Sequence, residues 1–313
     1  MVKIVSTHYV LGSKKESLDE ICKENPSWNY QKLFLKTGIK QRHLLNKSET
    51  PELLSIKAGK ECIKKYGEKN VDGIIFVTQS PSYPLPTRAC IIQNELKLSS
   101  NCLAFDINQG CSGFVYALSL ANSLINTNNL NSILIVCADY YSKYISCDDR
   151  TCRPIFSDAA AAVIVEKSDL FSIGPFVFKT DGSGAKHLTV KNTNNFQSLF
   201  MDGPAVLKFS LKLVPEAVYE LLQKAKIDFE DIDLFIFHQA SAVVLDKLQK
   251  KLNIENRKWV KTIEDFGNTV SATIPIVLND LKKNNSLYKH NKIMLLGFGV
   301  GLSVAGCLLT SNN

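Results

Sequence analysis

The stretch "LAFDINQGCSGFVYAL" (residues 103–118) reads as a strand, a tight turn and a helix, with Cys111 in the turn. "LAFDIN" is a short apolar run of strand length, and "SGFVYALSLANSLIN" is long enough for a helix. Gly110 and Gly113 supply backbone freedom and clearance where the chain reverses direction so sharply. A thiol at the start of a helix faces unpaired N–H groups and a positive dipole end, which predicts a lowered pKa. The same mechanics places the serine of a nucleophile elbow. Taken singly, the turn suits either a nucleophile or a small buried hydrophobe, which free cysteines often are.

Strands and helices alternate outward from this point. Residues 50–66 open with Thr-Pro and carry apolar side chains at helical spacing, and "GIIFVTQ" (73–79) reads as a buried strand. A proline-rich loop (80–88) and a helix (89–98) lead into the opening stretch, after which "ILIVCAD" (133–139) and "AAAAVIVE" (159–166) read as strands. The second half repeats the series: a helix over 203–225, a strand ending at His238, a helix over 241–252, a turn and helix over 267–283, and strands over 292–300 and 303–310. Such alternation predicts an α/β fold with helices on the sheet faces. The two halves look like a diverged duplication, with "AAAAVIVE" and "SVAGCLLT" as equivalent last strands. The expected division falls near residue 167, giving an N-terminal half (1–167) with the cysteine and a C-terminal half (168–313) sharing one core.

Composition narrows the function classes. Of the 313 residues 45% are hydrophobic and 21% charged, the balance of a globular protein with a sizeable core. No apolar run approaches the roughly 20 residues that span a bilayer, and the N-terminus lacks a signal-peptide layout, so an intracellular, cytoplasmic protein is expected. Nine scattered cysteines without a C-x-x-C pair suggest free thiols, and five histidines without ligand spacing argue against a metal site. The net charge of +7, with lysine clusters at 64–69, 246–253 and 280–285, favours an acidic partner or reflects solvated helix faces. Nucleic acid is not expected, because basic and aromatic residues are not interleaved.

Two segments bear on Cys111. His238 ends the apolar strand "LFIFHQA", where it reads either as a core histidine or as a site residue; Asn268 in "FGNTVSATIP" reads as a helix cap or a site residue. Three polar groups at element ends of an α/β fold can converge on one crevice. The turn "GFGVGLS" (297–303) offers backbone N–H groups to an oxyanion or closes a tight hairpin.

Together these segments resemble the ketoacyl-acyl-carrier-protein synthase III family of thiolase-fold condensing enzymes. The resemblance covers nearly the whole chain and includes "KTGIKQRH" (36–43), "QGCSGF" (109–114), "DDRTCRPIFSDAAAAV" (148–163), "HQA" (238–240), "GNT" (267–269) and "GFGVG" (297–301) in family order. It implies a thiolase-like fold of two pseudo-duplicated βαβ halves in a five-layered α-β-α-β-α core, a homodimer, and no metal or organic cofactor. It also implies that Cys111 takes an acyl group from acyl-CoA, and that His238 and Asn268 assist decarboxylative condensation with malonyl-acyl carrier protein. The amide of Cys111, with one from Gly299, Val300 or Gly301, would form the oxyanion hole.

Substrate contacts carry over in part. Arg150 matches an arginine that stacks on the CoA adenine, but the family's tryptophan partner falls at Lys32. The carrier-docking run H-Q-A-N-x-R reads "HQASAV" here, so Gln239 is kept while Ser241 and Val243 replace asparagine and arginine. Lys208, Lys250 and Lys251 match other basic carrier contacts. "FSDAAAA" replaces a more glycine-rich segment near the dimer core. Leu85 matches a position reaching into the partner's acyl pocket, where a leucine in place of a bulky aromatic implies a primer longer than acetyl. Two other readings compete: an acyltransferase or specialised condensing enzyme of the same fold, and a cysteine hydrolase with the order Cys…His…Asn. Retention of both His238 and Asn268 favours condensation over the first, and the lack of a papain-type signature disfavours the second.

Overall fold

The computed structural model describes residues 1–67, 70–127, 130–193 and 196–311. The chain opens with strand β1 (Val2–Leu11), then β2 (Lys14–Ser17), helices α1 (Leu18–Glu24) and α2 (Tyr30–Thr37), β3 (Gln41–Leu44) and α3 (Pro51–Tyr66). It continues through β4 (Gly73–Val77), α4 (Arg88–Glu95), β5 (Leu103–Ile107), α5 (Gly113–Thr127), β6 (Ser132–Asp139) and β7 (Ala159–Lys167). Next come β8 (Phe171–Thr180), the hairpin β9 (Leu188–Thr193) and β10 (Phe196–Met201), α6 (Gly203–Ala225), β11 (Leu234–Phe237) and α7 (Ala242–Leu252). The described chain ends with α8 (Ile263–Phe266), α9 (Thr273–Lys283), β12 (Lys292–Gly299) and β13 (Ser303–Ser311).

Two sheets carry the fold. The first has the order β1-β7-β6-β4-β5 and the second β11-β12-β13-β8. In each, a parallel pair leads to two antiparallel neighbours: β4 with β6, then β7 and β1, against β11 with β12, then β13 and β8. The expected equivalence of "AAAAVIVE" and "SVAGCLLT" is visible as β7 and β13 in matching places.

Five layers follow from where the apolar faces go. Along β4 and β6, Ile75, Val77, Ile133 and Ile135 turn inward onto α5 and α9, while Ile74, Phe76, Leu134 and Val136 turn outward onto α3 and α4. On the second sheet Ile236, Ile293 and Leu295 join the same central layer, and Phe235, Phe237, Met294 and Leu296 pack under α6 and α7. Burial on both faces explains why these strands are continuous apolar runs rather than alternating ones. Phe114, fully buried on α5, belongs to this central layer. Its truncation to alanine would cost about 3–5 kcal/mol and loosen the helix that begins beside Cys111.

Candidate active site

Cys111 sits between β5 and α5, closed by a hydrogen bond from the Gly113 amide to the Gly110 carbonyl at 2.8 Å. An added Cβ at Gly113 would lie 2.5 Å from Val77 Cγ1, so the turn approaches β4 this closely only as glycine, and one at Gly110 would lie 2.4 Å from Gln79 Oε1. The end of β12 closes over the thiol from the other sheet. At Gly299 (φ +155°) an added Cβ would lie 2.9 Å from Cys111 Sγ. The Ser303 hydroxyl donates to the Val300 carbonyl at 2.7 Å and meets the Ser112 hydroxyl at 2.9 Å, so the two turns are fastened together. The backbone amides of Val300 and of Cys111 itself lie against the Cys111 sulfur and favour its charged form. Gly299→Ala is therefore expected to displace the sulfur and slow acylation by about 100-fold, read as the rate of mass increase on the intact protein.

His238 follows directly on β11 and is held by its amide, which donates to the Leu296 carbonyl at 2.8 Å. Its Nδ1 lies 2.7 Å from Thr273 Oγ1, and the Thr273 hydroxyl lies 3.2 Å from the Val270 carbonyl. That hydroxyl can turn its proton toward Val270 or toward the ring, so it supports either imidazole tautomer. Asn268 Oδ1 accepts from the Val270 amide at 2.9 Å, which aims Nδ2 at His238 Nε2, 3.5 Å away; one N–H of Nδ2 is donated to the Ala240 carbonyl at 3.3 Å and the other faces the site.

The turn holding Asn268 is strained and braced. Val270 is β-branched, fully buried and at φ +55°, a conformation costing about 1–3 kcal/mol. Asn268 bridges the segment before β7, its amide donating to the Ile155 carbonyl and its carbonyl accepting from the Ser157 amide, both at 2.9 Å. A buried ion cluster anchors that segment: Arg42 Nε donates to Glu16 at 2.6 Å and its Nη1 to the Phe156 carbonyl at 3.3 Å. Arg153 reaches the other Glu16 oxygen at 3.0 Å. The arginine and histidine of "KTGIKQRH" thus belong to the frame of the site, since His43 also ties its amide to Ser157 Oγ at 3.0 Å.

Cys111, His238 and Asn268 open into one cavity of about 270 Å³, walled mainly by Ile155, Phe156, Leu188, Met201, Leu207 and Phe298. Burial holds the His238 imidazole down at about 3, so it is neutral. The expected lowering of the Cys111 pKa does not survive: burial, with the Asp139 charge behind it, pushes the thiol up to about 12. The Val300 and Cys111 amides pull the other way and lose to desolvation. The resting site therefore holds a thiol and a neutral imidazole. Because the thiolate fraction grows with pH throughout the range below 12, alkylation of Cys111 by iodoacetamide should rise about tenfold per pH unit from 7 to 10. A plateau in that interval would contradict the buried-thiol description.

Residues 105–182 match the family model for 3-oxoacyl-[acyl-carrier-protein] synthase III, and residues 222–311 match its C-terminal model. A beta-ketoacyl-[acyl-carrier-protein] synthase III of Clostridium novyi is 33% identical over 310 residues, covering 95% of this chain and 94% of its own. The chain belongs to the 3-oxoacyl-[acyl-carrier-protein] synthase III family. Solved synthase III structures superpose closely: one at 36% identity and TM-score 0.91 covers 99% of both chains. That from Aquifex aeolicus, at 30% identity and TM-score 0.92, covers 99% of this chain and 100% of that one. The enzyme is thus a condensing acyltransferase of the thiolase fold.

The synthase III fold brings some sequence-predicted residues together and separates others. Cys111, His238, Asn268, Gly299, Ser241 and Val243 all line the cavity. Gly301, also at positive φ, belongs to the turn that follows β12. Lys32 and Arg150 are exposed and outside the cavity wall. Their neighbours Lys36, one helical turn later, and Thr151 line it instead. Lys36 opens the stretch "KTGIKQRH" on the last turn of α2.

Gln239 requires a correction. It is buried, and its side chain is used by the Phe237 carbonyl at 2.7 Å, the Val260 carbonyl at 3.3 Å and the Thr262 amide at 2.9 Å, leaving no group for a carrier. Lys208 and Lys251 border a surface groove with Leu211, Lys212 and Tyr219, and Lys250 is exposed beside them. Of the lysine cluster at 64–69, Glu68 and Lys69 lie outside the described residues. Leu85 projects into solvent at 80% exposure. Among the described residues no His/Cys/Asp/Glu group has metal-binding geometry, and no helix is long and apolar enough to cross a membrane.

Proposed function

We propose that the enzyme moves an acyl group from acyl-CoA onto Cys111 and joins it to malonyl-acyl carrier protein, giving 3-oxoacyl-carrier and CO₂. In the first stage the sulfur attacks the thioester carbonyl, its proton goes to His238 Nε2, and the oxyanion meets the Cys111 and Val300 amides. The carbon–sulfur bond to CoA breaks, and CoA leaves as the thiol. In the second stage the malonyl carbon–carboxylate bond breaks and CO₂ departs. His238 has by then passed its proton to CoA and stands in its Nε2–H tautomer, which the Thr273 hydroxyl also accommodates. The enolate oxygen is held by His238 Nε2–H and Asn268 Nδ2–H, and the enolate carbon attacks the acyl-cysteine. The carbon–sulfur bond to Cys111 breaks, and the thiolate takes a proton from water to return the thiol. Every step uses side chains and amides of this chain, so the reading calls for no metal or organic cofactor.

The observation that supports this best is the meeting of a neutral imidazole nitrogen, His238 Nε2, and the Asn268 carboxamide nitrogen, 3.5 Å apart, at one buried point of the Cys111 cavity. A hydrolase or simple acyltransferase has no enolate to hold with both. Intact-mass measurement with acetyl-, butyryl- and octanoyl-CoA, and the same groups on carrier protein, identifies donor and primer together. A mass gain that Cys111→Ala lacks, followed by CO₂ release on adding malonyl carrier, is expected. Acyl transfer without CO₂ would overturn condensation. The carrier is taken to approach along the groove of Lys208, Lys212 and Lys251, whose charge suits an acidic protein.

The reading includes a homodimer. Central β4 is buried throughout, whereas β5 is the free edge of its sheet and is only half buried from Ala104 to Ile107. An open apolar edge of this kind favours a second copy pairing on it. Asp106 accepts from the amides of Arg88 and Ala89 at 2.7 and 2.8 Å, which ties the proline-rich loop carrying Leu85 to that edge. Light scattering should give twice the chain mass, and Phe105→Lys should lower it to one. A single-chain mass for the wild type at micromolar concentration would overturn the dimer.

A further inference from the structure

We propose that Asp139 is a positioning residue that fixes the distance between the nucleophile turn and the Asn268 turn. This rests on the reading of Cys111, His238 and Asn268 given above. Asp139 closes β6 in the first sheet, is 1% exposed and, among the described residues, makes no ion pair that would explain its burial. Its carboxylate reaches both halves of the site. Oδ1 accepts from the Gln79 amide at 2.8 Å and from the Ser80 hydroxyl at 3.5 Å. Oδ2 accepts from the Ser271 hydroxyl at 2.5 Å and the Ser271 amide at 3.3 Å.

The first arm supports the cysteine. Gln79 Oε1 accepts from the Tyr141 hydroxyl at 2.8 Å, and it is this oxygen that a side chain at Gly110 would strike. Gln79 is therefore the surface against which the Gly110–Cys111 turn rests. The second arm supports Asn268. Ser271 directly follows Val270, whose left-handed backbone supplies the amide that orients the Asn268 carboxamide. Relaxation of that strained residue is opposed by two hydrogen bonds to one fixed carboxylate. All the groups on Asp139 donate, and a set of donors alone suits the ionised form even where burial opposes it.

The charge bears on the thiol as well as the geometry. Facing Asp139 are Cys111, Cys137, Tyr141 and Tyr144, whose ionisation its charge opposes, and the half-buried Lys143; His238 is neutral on the far side of the cavity. Making Asp139 neutral removes the field that opposes ionisation of Cys111, so the thiol should then titrate at lower pH.

Asp139→Asn and Ser271→Ala separate these effects. Asparagine keeps the shape, removes the charge and can accept on one side only, so one arm is lost. Its expected result is condensation slowed about 100-fold relative to acyl loading, with Cys111 alkylation by iodoacetamide, followed on the Cys111 peptide, moved to lower pH. Ser271→Ala removes one donor and keeps the charge. It should slow condensation about tenfold, leave loading intact and leave the alkylation profile where the wild type has it. Wild-type condensation in Ser271→Ala, or an unmoved alkylation profile in Asp139→Asn, overturns the inference. Should Asp139→Asn fail to fold, Ser271→Ala decides it alone. A wild type that neither loads nor condenses tells against the functional reading instead, and the alkylation profile then decides the role of Asp139.

Discussion

Cys111→Ala is expected to abolish acyl loading, with no mass gain from any thioester that labels the wild type, and to lower condensation by at least about 10³-fold. The size of the effect follows from the chemistry. Without a sulfur, the two-stage route has no covalent intermediate, and the malonyl carbanion would have to meet a bound thioester directly. Alanine keeps the turn, since the site is built from glycines and amides around Cβ, so the loss reports chemistry rather than folding. Malonyl decarboxylation is a useful second reading. The enolate is held by His238 and Asn268, which the substitution leaves alone, so CO₂ release without carbon–carbon bond formation should persist in Cys111→Ala. A variant that still gained acyl mass would place the nucleophile elsewhere, and the other buried cysteines, Cys62, Cys137, Cys152 and Cys307, would be the residues to test.

The elements around the site were legible because their signals are local. A glycine-flanked cysteine between a strand and a helix, a histidine closing an apolar run, and an asparagine after glycine each announce an element end. The α/β alternation was equally plain, as strands buried on both faces leave unbroken apolar runs. Less visible was whatever depends on a distant partner. β8 and the β9–β10 hairpin are mixed in polarity and take their register from neighbours: β8 from β13, the hairpin from itself. The thiol pKa was misread because a helix end is a local feature, whereas burial and the charge of Asp139, 28 positions later, are not. Gln239 was misread for the same reason: nothing in "HQA" says that its amide is consumed by Phe237, Val260 and Thr262. Arg42, Glu16 and Arg153 form a buried cluster only because β2 and β3 pair beside the segment before β7.

His238→Ala and Asn268→Ala are expected to part the two stages in the opposite way from Cys111→Ala. Both donors face the enolate oxygen, and removing one preorganised donor from such a site costs about 10²–10³ in rate. Condensation and CO₂ release should fall together by that factor in either variant. Loading should respond unequally. His238 takes the thiol proton, and with the thiol pushed up to about 12 little thiolate exists at neutral pH, so His238→Ala should slow loading as well. Asn268 takes no proton, so Asn268→Ala should load at close to the wild-type rate and accumulate acyl-enzyme on adding malonyl carrier. The pH dependence sharpens the contrast. With the imidazole pKa near 3, wild-type loading should be nearly flat between pH 6 and 9, whereas in His238→Ala it should climb with pH as hydroxide supplies the thiolate. The stalled acyl-enzyme of Asn268→Ala, resolved by intact mass, is the critical result: if that variant loads poorly but condenses whatever it loads, the carboxamide acts on the nucleophile and not on the enolate.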